Sequence, residues 1–304
     1  MIDSNKLSGF IERVEGDHRP VTADVFLTDF CNNHCRYCRF SHKSGKYIKS
    51  QDFTLLADRL LELGVKGIIL TGGGEPTINP DFDAICQFLQ ERGIPYGINT
   101  NFNVLKYVSP VFLKISIDEG SSEGYLNTRG VNAFDTVLEN IKKYLTWKRH
   151  NGITTRVGVQ CVTTSVRQVL DFYTAVRELD VDYIQFRPVE SRVQTIDYSP
   201  ILASLDSLIQ KDNRIVKSYK YGFAQWRPQE CFAYWSAMCI TPELKVIYCC
   251  HRPDDVIGSV FDEDILEKLK NHKPYMRDCE TPCRLTGANA YVMQYRNDGD
   301  RYFV

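Results

Sequence analysis

Residues 23–40 read ADVFLTDFCNNHCRYCRF, and this stretch decides how the rest of the chain is interpreted. An apolar, strand-like run, ADVFLT (23–28), leads directly into Cys31, Cys35 and Cys38, spaced C-x3-C-x2-C. Soft thiolate ligands select zinc or an iron–sulfur cluster. No fourth cysteine follows nearby, so a cluster held here would leave one iron open to a small molecule. The residues also leave open a structural zinc knuckle that lacks one ligand.

The composition is that of an ordinary soluble protein. The chain has 304 residues, of which 43% are hydrophobic and 25% charged, and its formal net charge is −1. This balance gives no reason to expect nucleic acid or an anionic membrane as a partner. No run approaches the roughly 20 apolar residues of a membrane span, and the N-terminus lacks the apolar core of a signal peptide. We therefore expect a cytoplasmic protein whose eleven cysteines serve metal ligation or catalysis rather than disulfides.

Short apolar runs alternate with longer segments of helical period. The runs are ADVFLT (23–28), VKGIILT (65–71), PYGINT (95–100), VFLKISI (111–117), TTRVGVQCVT (154–163) and DYIQFRPV (182–189). The helical segments include FTLLADRLLELG, DFDAICQFLQERG, AFDTVLENIKKYLTWKRH and VRQVLDFYTAVRELD. Such alternation predicts parallel strands joined by right-handed crossovers. Six units predict an α/β fold, an open, partial (β/α)6 barrel with catalytic groups at the carboxyl ends of its strands.

The pattern divides the chain into three parts. Residues 1–20 form an N-terminal extension, and residues 21–200 form the barrel. After about residue 200 the alternation stops, and residues 201–304 are predicted to form a smaller, cysteine-rich domain organised around metal. Its cysteines are Cys231, Cys239, Cys249, Cys250, Cys279 and Cys283.

A glycine-rich turn follows the second apolar run, where residues 71–76 read TGGGEP. Consecutive glycines let backbone groups approach a ligand closely. Together with the cysteine triad, this turn resembles the radical S-adenosylmethionine (radical SAM) superfamily. The resemblance implies the same partial barrel, a [4Fe–4S] cluster on the triad and SAM bound to the open iron of that cluster.

The resemblance also implies which residues contact SAM. The glycine-rich turn would hold the SAM amino group through Gly72, Gly73, Gly74 and Glu75. Tyr37 occupies the aromatic position between the second and third cysteines, where the side chain would face adenine. The segment 186–189, which closes the sixth run, is a further candidate for the adenine pocket.

Polar side chains at other strand ends are candidates for the same cofactor. Strand alternation puts Ser116 and Asp118 on one face, and the family uses such positions for the ribose or the methionine end of SAM. Asn99 and Asn101 are similar candidates. Arg129 would pair with the SAM carboxylate, since guanidinium binds carboxylates in a bidentate manner. The alternatives are an ordinary solvent-facing strand end and an arginine of a helix-capping loop.

The C-terminal cysteines resemble the auxiliary-cluster domains of radical SAM enzymes, the SPASM and shorter twitch types. Cys231, Cys249, Cys279 and Cys283 would hold one additional [4Fe–4S] cluster, although Leu244 stands where that pattern has glycine. Four cysteines suit a twitch-like domain, because too few remain for two auxiliary clusters. A zinc site formed by the same four residues is the alternative.

Cys250 directly follows the proposed ligand Cys249, and neighbouring side chains on a strand point to opposite sides. One thiol would therefore face metal and the other would face away from it. The pair resembles radical SAM epimerases of peptides and aminoglycoside sugars, in which a cysteine donates a hydrogen atom. The sequence also allows Cys250 to be a spare buried thiol. Cys239 is either a ligand that replaces Cys231 or the hydrogen donor itself. Cys86 and Cys161 fit buried apolar thiols.

These features predict an enzyme that cleaves SAM reductively and abstracts hydrogen from an unactivated carbon. We expect an epimerase with Cys250 as hydrogen donor, acting on a carbohydrate-like or amino-sugar small molecule. The alternatives are a dehydrogenase or a peptide-modifying enzyme whose auxiliary cluster accepts an electron. The resemblance implies an electron donor such as flavodoxin or ferredoxin. An iron–sulfur or zinc protein that binds a partner or senses redox state without turnover is the non-enzymatic alternative.

Overall fold

The computed structural model describes the chain from residue 19 to residue 297 with several gaps. The described ranges are 19–36, 38, 40, 45–190, 196–223, 230–232, 237–272, 279, 283 and 285–297. Tyr37, a predicted adenine contact, lies outside them. Within these ranges, no helix is long and apolar enough to cross a membrane.

Strands and helices alternate over most of the described chain. The strands are β1 (Thr22–Phe26), β2 (Gly67–Thr71), β3 (Tyr96–Thr100), β4 (Phe112–Ser116), β5 (Arg156–Thr163), β6 (Tyr183–Pro188), β7 (Ile215–Lys217), β8 (Ala237–Ile240), β9 (Lys245–Cys249) and β10 (Arg252–Ser259). The α-helices are α1 (Ser50–Glu62), α2 (Phe82–Glu91), α3 (Ser122–Arg129), α4 (Phe134–His150), α5 (Val166–Val176), α6 (Ser199–Ile209), α7 (Ile265–Asn271) and α8 (Thr286–Asn297). Two 3-10 helices lie at Pro76–Ile78 and Tyr219–Phe223.

The described strands form one sheet in the order β10-β9-β8-β1-β2-β3-β4-β5-β6-β7. Strands β1 to β7 pair with their neighbours in parallel. Because the order is linear, the sheet is open, as a partial barrel requires. The six predicted strands coincide with β1 to β6, and the predicted fold class is confirmed.

The two faces of the parallel strands have different roles. Side chains such as Val25 and Ile98 are buried in the main core, and Phe186 packs edge-on against Phe172 of α5 with ring centroids 5.5 Å apart. Since neighbouring side chains on a strand alternate, Asn99 and Arg187 point to the other face. That face is the barrel interior, where polar groups gather at the carboxyl ends.

The C-terminal strands continue the same sheet instead of starting a separate one. Strand β8 pairs in parallel with β1, in a register that places Cys239 beside Asp24. Strands β9 and β10 then follow in antiparallel order. On the other side, α6 and β7 carry the helix–strand alternation past residue 200. The domain boundary drawn there remains a prediction.

Candidate functional site

The cysteine triad lies in the loop after β1, at the carboxyl edge of the sheet. Cys31 accepts hydrogen bonds from the Asn33 backbone N–H (N to Sγ 3.4 Å) and from Asn101 Nδ2 (3.8 Å). Cys35 accepts one from an Arg129 guanidinium nitrogen at 3.4 Å. Cys31 and Cys35 are half-buried and Cys38 is exposed. Two of the three sulfurs therefore already sit among donors that favour a thiolate.

The end of helix α3 is hydrogen-bonded to the triad loop. The backbone N–H of His34 donates to the Arg129 carbonyl at 2.8 Å, and that of Arg36 donates to the Thr128 carbonyl at 2.9 Å. The helix ends at Gly130, whose φ of +72° is left-handed. A Cβ at this position would also lie 2.8 Å from His34 Cβ. Glycine is therefore required for both the helix end and the close approach of the loop.

The glycine-rich turn after β2 is packed tightly against the same loop. A Cβ on Gly72 would lie 1.5 Å from the Gly74 carbonyl oxygen, and one on Gly74 would lie 1.8 Å from the Phe30 carbonyl oxygen. The backbone N–H of Glu75 donates to that Phe30 carbonyl at 2.8 Å. A Cβ on Gly73 would make only ordinary contact, 3.5 Å from Phe40. The turn and the triad loop are thus fixed to each other by backbone contacts.

The Glu75 carboxylate is buried and engaged by its own protein. Its Oε1 accepts from the Thr77 backbone N–H (3.1 Å), the Thr77 hydroxyl (2.7 Å) and the Thr100 hydroxyl (2.5 Å). Its Oε2 accepts from the Asn101 backbone N–H at 2.7 Å. Burial raises the pKa of Glu75, while these four hydrogen bonds work in the opposite direction. The side chain joins the end of β2 to the end of β3.

Asp118 and Arg129, predicted as separate contacts to SAM, form an ion pair with each other. Arg129 NH2 lies 2.5 Å from Asp118 Oδ2, and both side chains are largely buried. Asp118 Oδ1 also accepts from the Val162 backbone N–H at 2.9 Å. Burial opposes the charge on Arg129, but Asp118 and then Cys35 raise its pKa above the usual value. The pair connects the end of β4, the end of α3 and the triad. Ser116 ends β4 and is half-buried.

The other residues predicted to contact SAM are Asn99, Asn101 and the segment 186–189, and they lie in different surroundings. Asn99 donates from Nδ2 to the Thr71 hydroxyl at 3.3 Å and Asn101 to Asn32 Oδ1 at 2.7 Å, so both stand at the carboxyl edge beside the triad. In the segment 186–189, Phe186 and Val189 are buried instead in the hydrophobic core. Alternation along β6 sends Phe186 towards the helices.

The residues around the triad fit a cluster and a polar cofactor. Among the described residues, the buried Asn99 Oδ1 and Arg129 Nε have no hydrogen-bonding partner in the protein. Buried polar atoms are normally satisfied, so these two are suited to a bound polar molecule. In the same part of the chain, no three His, Cys, Asp or Glu side chains are arranged around a single metal ion. A cubane cluster spaces its ligand sulfurs farther apart than one ion does, so this finding does not bear on it.

The sulfurs of three C-terminal cysteines also accept hydrogen bonds. Cys231 accepts from Asn289 Nδ2 at 3.6 Å, and Tyr248 donates its hydroxyl to the Cys231 carbonyl at 2.6 Å. Cys249 accepts from the His251 backbone N–H at 3.4 Å, and Cys283 accepts from the Leu285 backbone N–H at 3.3 Å. Burial raises the pKa of the Cys283 thiol to about 12 in the absence of metal. Hydrogen bonds to sulfur are typical of iron–sulfur ligands.

Three of these predicted ligands lie in one region of the molecule. Cys231, Cys249 and Cys283 all pack against the main hydrophobic core. Cys249 interacts with Cys250 and then with Cys283, and Cys283 interacts with Cys231 and Cys250. Cys279 is half-buried. The assignment of all four cysteines to one cluster stays a prediction.

Cys250 interacts with Cys249 and also contacts residues around the triad. It packs with Phe26, Phe40, Cys239 and Ile247 in a second, small hydrophobic cluster. Phe26 ends β1 and Phe40 follows the triad, so this cluster connects Cys250 to the triad loop. Because β9 ends at Cys249 and Cys250 lies in the turn that follows, the turn and not strand alternation places Cys250 there. The division of the two thiols between metal and substrate stays a prediction.

A buried group of charges beside these thiols was not predicted. Glu190, just after β6, contacts Lys220, an Arg187 guanidinium nitrogen at 3.1 Å and His251 Nε2 at 3.0 Å. Opposing burial, the neighbouring Cys250 and then Glu190 raise the pKa of His251 to about 9. The sequence gives one signal for the group, the polar residues in FRPVE (186–190) at a strand end. Nothing in the pattern identifies Lys220 as their partner.

Comparisons with known proteins agree with this geometry. Residues 25–159 match the family model described as the radical SAM superfamily, whose cofactors are a [4Fe–4S] cluster and SAM. A probable GTP 3′,8-cyclase of Sulfurisphaera tokodaii is 25% identical over 246 residues, which cover 75% of each chain. A protein of the same name from Saccharolobus islandicus is 32% identical over 128 residues, 39% of this chain and 41% of that one.

Solved structures show the same fold at low sequence identity. SuiB of Streptococcus suis bound to S-adenosylmethionine has a TM-score of 0.68 at 15% identity, covering 94% of this chain and 76% of that one. SuiB bound to its precursor peptide SuiA gives 0.66 at 14% identity, covering 98% and 71%. Native anSMEcpe with bound AdoMet gives 0.62 at 15% identity, covering 83% and 81%. Residues 25–159 of this chain therefore match the radical SAM superfamily in sequence, and the described architecture has the same fold as these solved structures.

Proposed function

We propose that this chain is a radical SAM epimerase with two [4Fe–4S] clusters, in which Cys250 donates a hydrogen atom to the substrate. The observation that carries the proposal is the position of Cys250. Cys249 packs against the main core, whereas Cys250 packs with Phe26 and Phe40, which lie before and after the triad. A thiol in that position is suited to meet a substrate radical formed near SAM.

The first cluster would be held by Cys31, Cys35 and Cys38. With SAM bound at its open iron, this cofactor supplies a 5′-deoxyadenosyl radical after one-electron reduction. The protein orients SAM through the backbone of the glycine-rich turn and through polar groups that remain available. Asn99 Oδ1 and Arg129 Nε are two such groups.

The remaining predicted SAM contacts keep their proposed roles with one refinement. Ser116 and Asp118 stand at the end of β4, and Gly72, Gly73 and Gly74 lie beside the triad loop. Glu75 makes four internal hydrogen bonds. We therefore assign it to placing the turn around the SAM amino group, with any direct contact being additional. Tyr37 remains a proposed adenine contact.

The auxiliary cluster would be held by Cys231, Cys249, Cys279 and Cys283. For three of these, a hydrogen-bond donor to sulfur is in place. Zinc bound by the same four thiols is the competing assignment.

Cys250 completes the reaction without a net change in oxidation state of the substrate. Its S–H bond breaks homolytically, a C–H bond forms on the opposite face of the substrate carbon, and sulfur is left with an unpaired electron. One electron and one proton then restore the thiol. The electron comes from a donor of the flavodoxin or ferredoxin class. Cys239, which shares the small cluster, is the alternative donor.

We propose a carbohydrate-like or amino-sugar small molecule as the substrate, with a peptide as the alternative. One solved neighbour, SuiB, holds its precursor peptide SuiA. That likeness concerns the fold, so the choice between substrate classes rests on experiment. A panel of aminoglycosides and of short peptides tests both classes.

Iron content and SAM cleavage test the two-cluster assignment first. We expect about eight irons per reconstituted chain and about four after Cys31, Cys35 and Cys38 are replaced by alanine, since each cluster holds four. The intact protein reduced anaerobically with dithionite should form 5′-deoxyadenosine from SAM, and the triad variant should not. Loaded protein that forms none would indicate a binding or redox-sensing protein instead of an enzyme.

Deuterium uptake tests the role of Cys250. In heavy water, the epimerised product should carry deuterium at one carbon, because the S–H group exchanges with solvent. Cys250→Ala should abolish uptake while 5′-deoxyadenosine still forms. Cys86→Ala, in the core of α2, controls for loss of packing. Uptake that survives Cys250→Ala and disappears in Cys239→Ala would transfer the role to Cys239.

A second candidate function is oxidation or cyclisation, in which the substrate radical returns its electron to the auxiliary cluster. The names of the relatives favour it, because they are probable GTP 3′,8-cyclases. It predicts an oxidised or cyclised product without solvent deuterium, and no requirement for Cys250. GTP belongs in the substrate panel for this reason.

A further inference from the structure

The buried charges around Glu190 are unusual in number and balance. The side chains of Glu190, Lys220 and His251 are 10%, 12% and 14% exposed. Glu190 bridges all the others, contacting Lys220, Arg187 and His251. Arg187 and Lys220 are two cations against a single carboxylate. Even with His251 neutral, these side chains carry a net charge of +1, with Lys220 largely buried and Arg187 27% exposed.

An excess buried charge is costly unless an opposite charge compensates it. Burial lowers the pKa of Lys220, and the Glu190 carboxylate opposes that effect. For Glu190 the attraction of Lys220 outweighs burial and holds its pKa well below the ordinary range. The Glu190 carboxylate is therefore already paired with cations of its own group. A further negative charge nearby would balance the group.

Among the described residues, the C-terminal cysteines are candidates for that charge. His251 Nε2 lies 3.0 Å from Glu190 Oε2, and the His251 backbone N–H donates to Cys249 Sγ at 3.4 Å. The charged group therefore lies against the side of the molecule on which Cys249 and its neighbours would hold a cluster. Lys220 stands in the 3-10 helix that follows β7.

We propose that Lys220 and Arg187, held in place by Glu190, raise the reduction potential of the auxiliary cluster. The inference rests on the proposed two-cluster function. Four thiolates around a [4Fe–4S]2+ core carry a net charge of −2, and one added electron makes it −3. A nearby cation stabilises the reduced form more than the oxidised form, and net charge is a main determinant of such potentials. These residues are positioning groups and not ligands.

The test is a redox titration, monitored by electron paramagnetic resonance, of the full chain with Cys31, Cys35 and Cys38 replaced by alanine. Only the auxiliary cluster then gives a signal, and a one-electron donor such as dithionite supplies the electron. Lys220→Gln should reduce the ratio of reduced to oxidised cluster about tenfold at a fixed solution potential, which is 59 mV for a one-electron couple. Glu190→Gln should shift it in the opposite direction.

Two controls separate charge from packing. The double substitution Lys220→Gln with Glu190→Gln leaves the net charge unchanged and should return the potential close to its starting value. Lys217→Gln removes an equal charge from a surface lysine that pairs with Asp206, and should change little. If Lys220→Gln does not retain iron, the sign of the Glu190→Gln shift alone decides the matter.

Equal potentials in Glu190→Gln and the parent chain, or shifts of the same sign in both single variants, would overturn the inference. Absence of iron from the parent chain lacking the triad would instead overturn the proposed auxiliary cluster. The two failures are therefore distinguishable in one set of samples.

Discussion

Replacing Glu75 by glutamine should destabilise the protein strongly, although the change is isosteric. The carboxylate accepts three hydrogen bonds at Oε1 and one at Oε2, all from buried groups at the ends of β2 and β3. An amide retains one acceptor oxygen and introduces an NH2 group. If the oxygen stays with Thr77 and Thr100, the NH2 group faces the Asn101 backbone N–H, and two donors oppose each other.

The size of the effect follows from this mismatch. A hydrogen bond to a charged group contributes about 1.5–3 kcal/mol, and a buried donor left without an acceptor costs about 1–3 kcal/mol. Together these predict a loss of about 3 kcal/mol in the free energy of unfolding for Glu75→Gln. Thr77→Val is the matched control, because Oε1 keeps the Thr77 backbone N–H and the Thr100 hydroxyl. Its expected loss is about 1 kcal/mol.

The assay is urea unfolding of the cluster-free chain, followed by circular dichroism. A second measurement, the SAM dissociation constant of the anaerobically reconstituted protein, shows whether loop placement matters for the cofactor. We expect Glu75→Gln to weaken SAM binding more than Thr77→Val does. If the two variants lose equal stability, or if Glu75→Gln loses less than about 1 kcal/mol, the hydrogen-bonding argument is wrong.

Two further predictions concern other parts of the fold. Gly74→Ala places a Cβ 1.8 Å from the Phe30 carbonyl oxygen and should lower the free energy of unfolding by about 2–3 kcal/mol through overpacking. Gly73→Ala makes only ordinary contact and should lower it by less than about 1 kcal/mol. Equal urea midpoints for the two variants would contradict the geometry. Arg214 donates two guanidinium hydrogen bonds to Asp212, at 2.9 and 2.6 Å, and lowers its pKa. Because the unfolded carboxyl titrates near about 3.9, this stabilisation is complete above that pH and is lost as pH falls through the lower native pKa. Asp212→Asn should therefore cost about 1–2 kcal/mol at pH 7 and less at pH 3, and a constant difference across this range of urea titrations would refute the assignment.

The strands of the barrel were predictable because their apolar runs are short, regularly spaced and bounded by glycine or polar residues. The same reasoning located the triad and the glycine-rich turn, since both directly follow a strand. Helix α3 was missed because its sequence, SEGYLNTR, buries only Tyr125 among its apolar residues. Two end signals were available. Ser121 caps the helix by accepting from the Gly124 N–H at 3.2 Å, and Gly130 ends it.

Partners that are distant in sequence were not predictable. Strand β8 lies beside β1, so Cys239 meets Asp24 across 215 positions. Pattern reasoning identified Arg129 as a candidate anion-binding residue but gave no way to choose between SAM and Asp118. The ion pair became visible only once the end of α3 was placed against the end of β4.

The position of β8 also explains how Cys239 and Cys250 come to lie beside the triad loop. Strand β1 delivers the triad at its carboxyl end, and β8 pairs with that same strand in parallel. Strand β9 pairs with β8 in antiparallel order through Val246 and Ile247 and ends at Cys249. Cys250 follows in a turn and packs against Phe26 of β1. Inserting one residue into β9 would shift both Cys249 and Cys250 relative to β1, so the register of this strand is as important to the proposed chemistry as either cysteine.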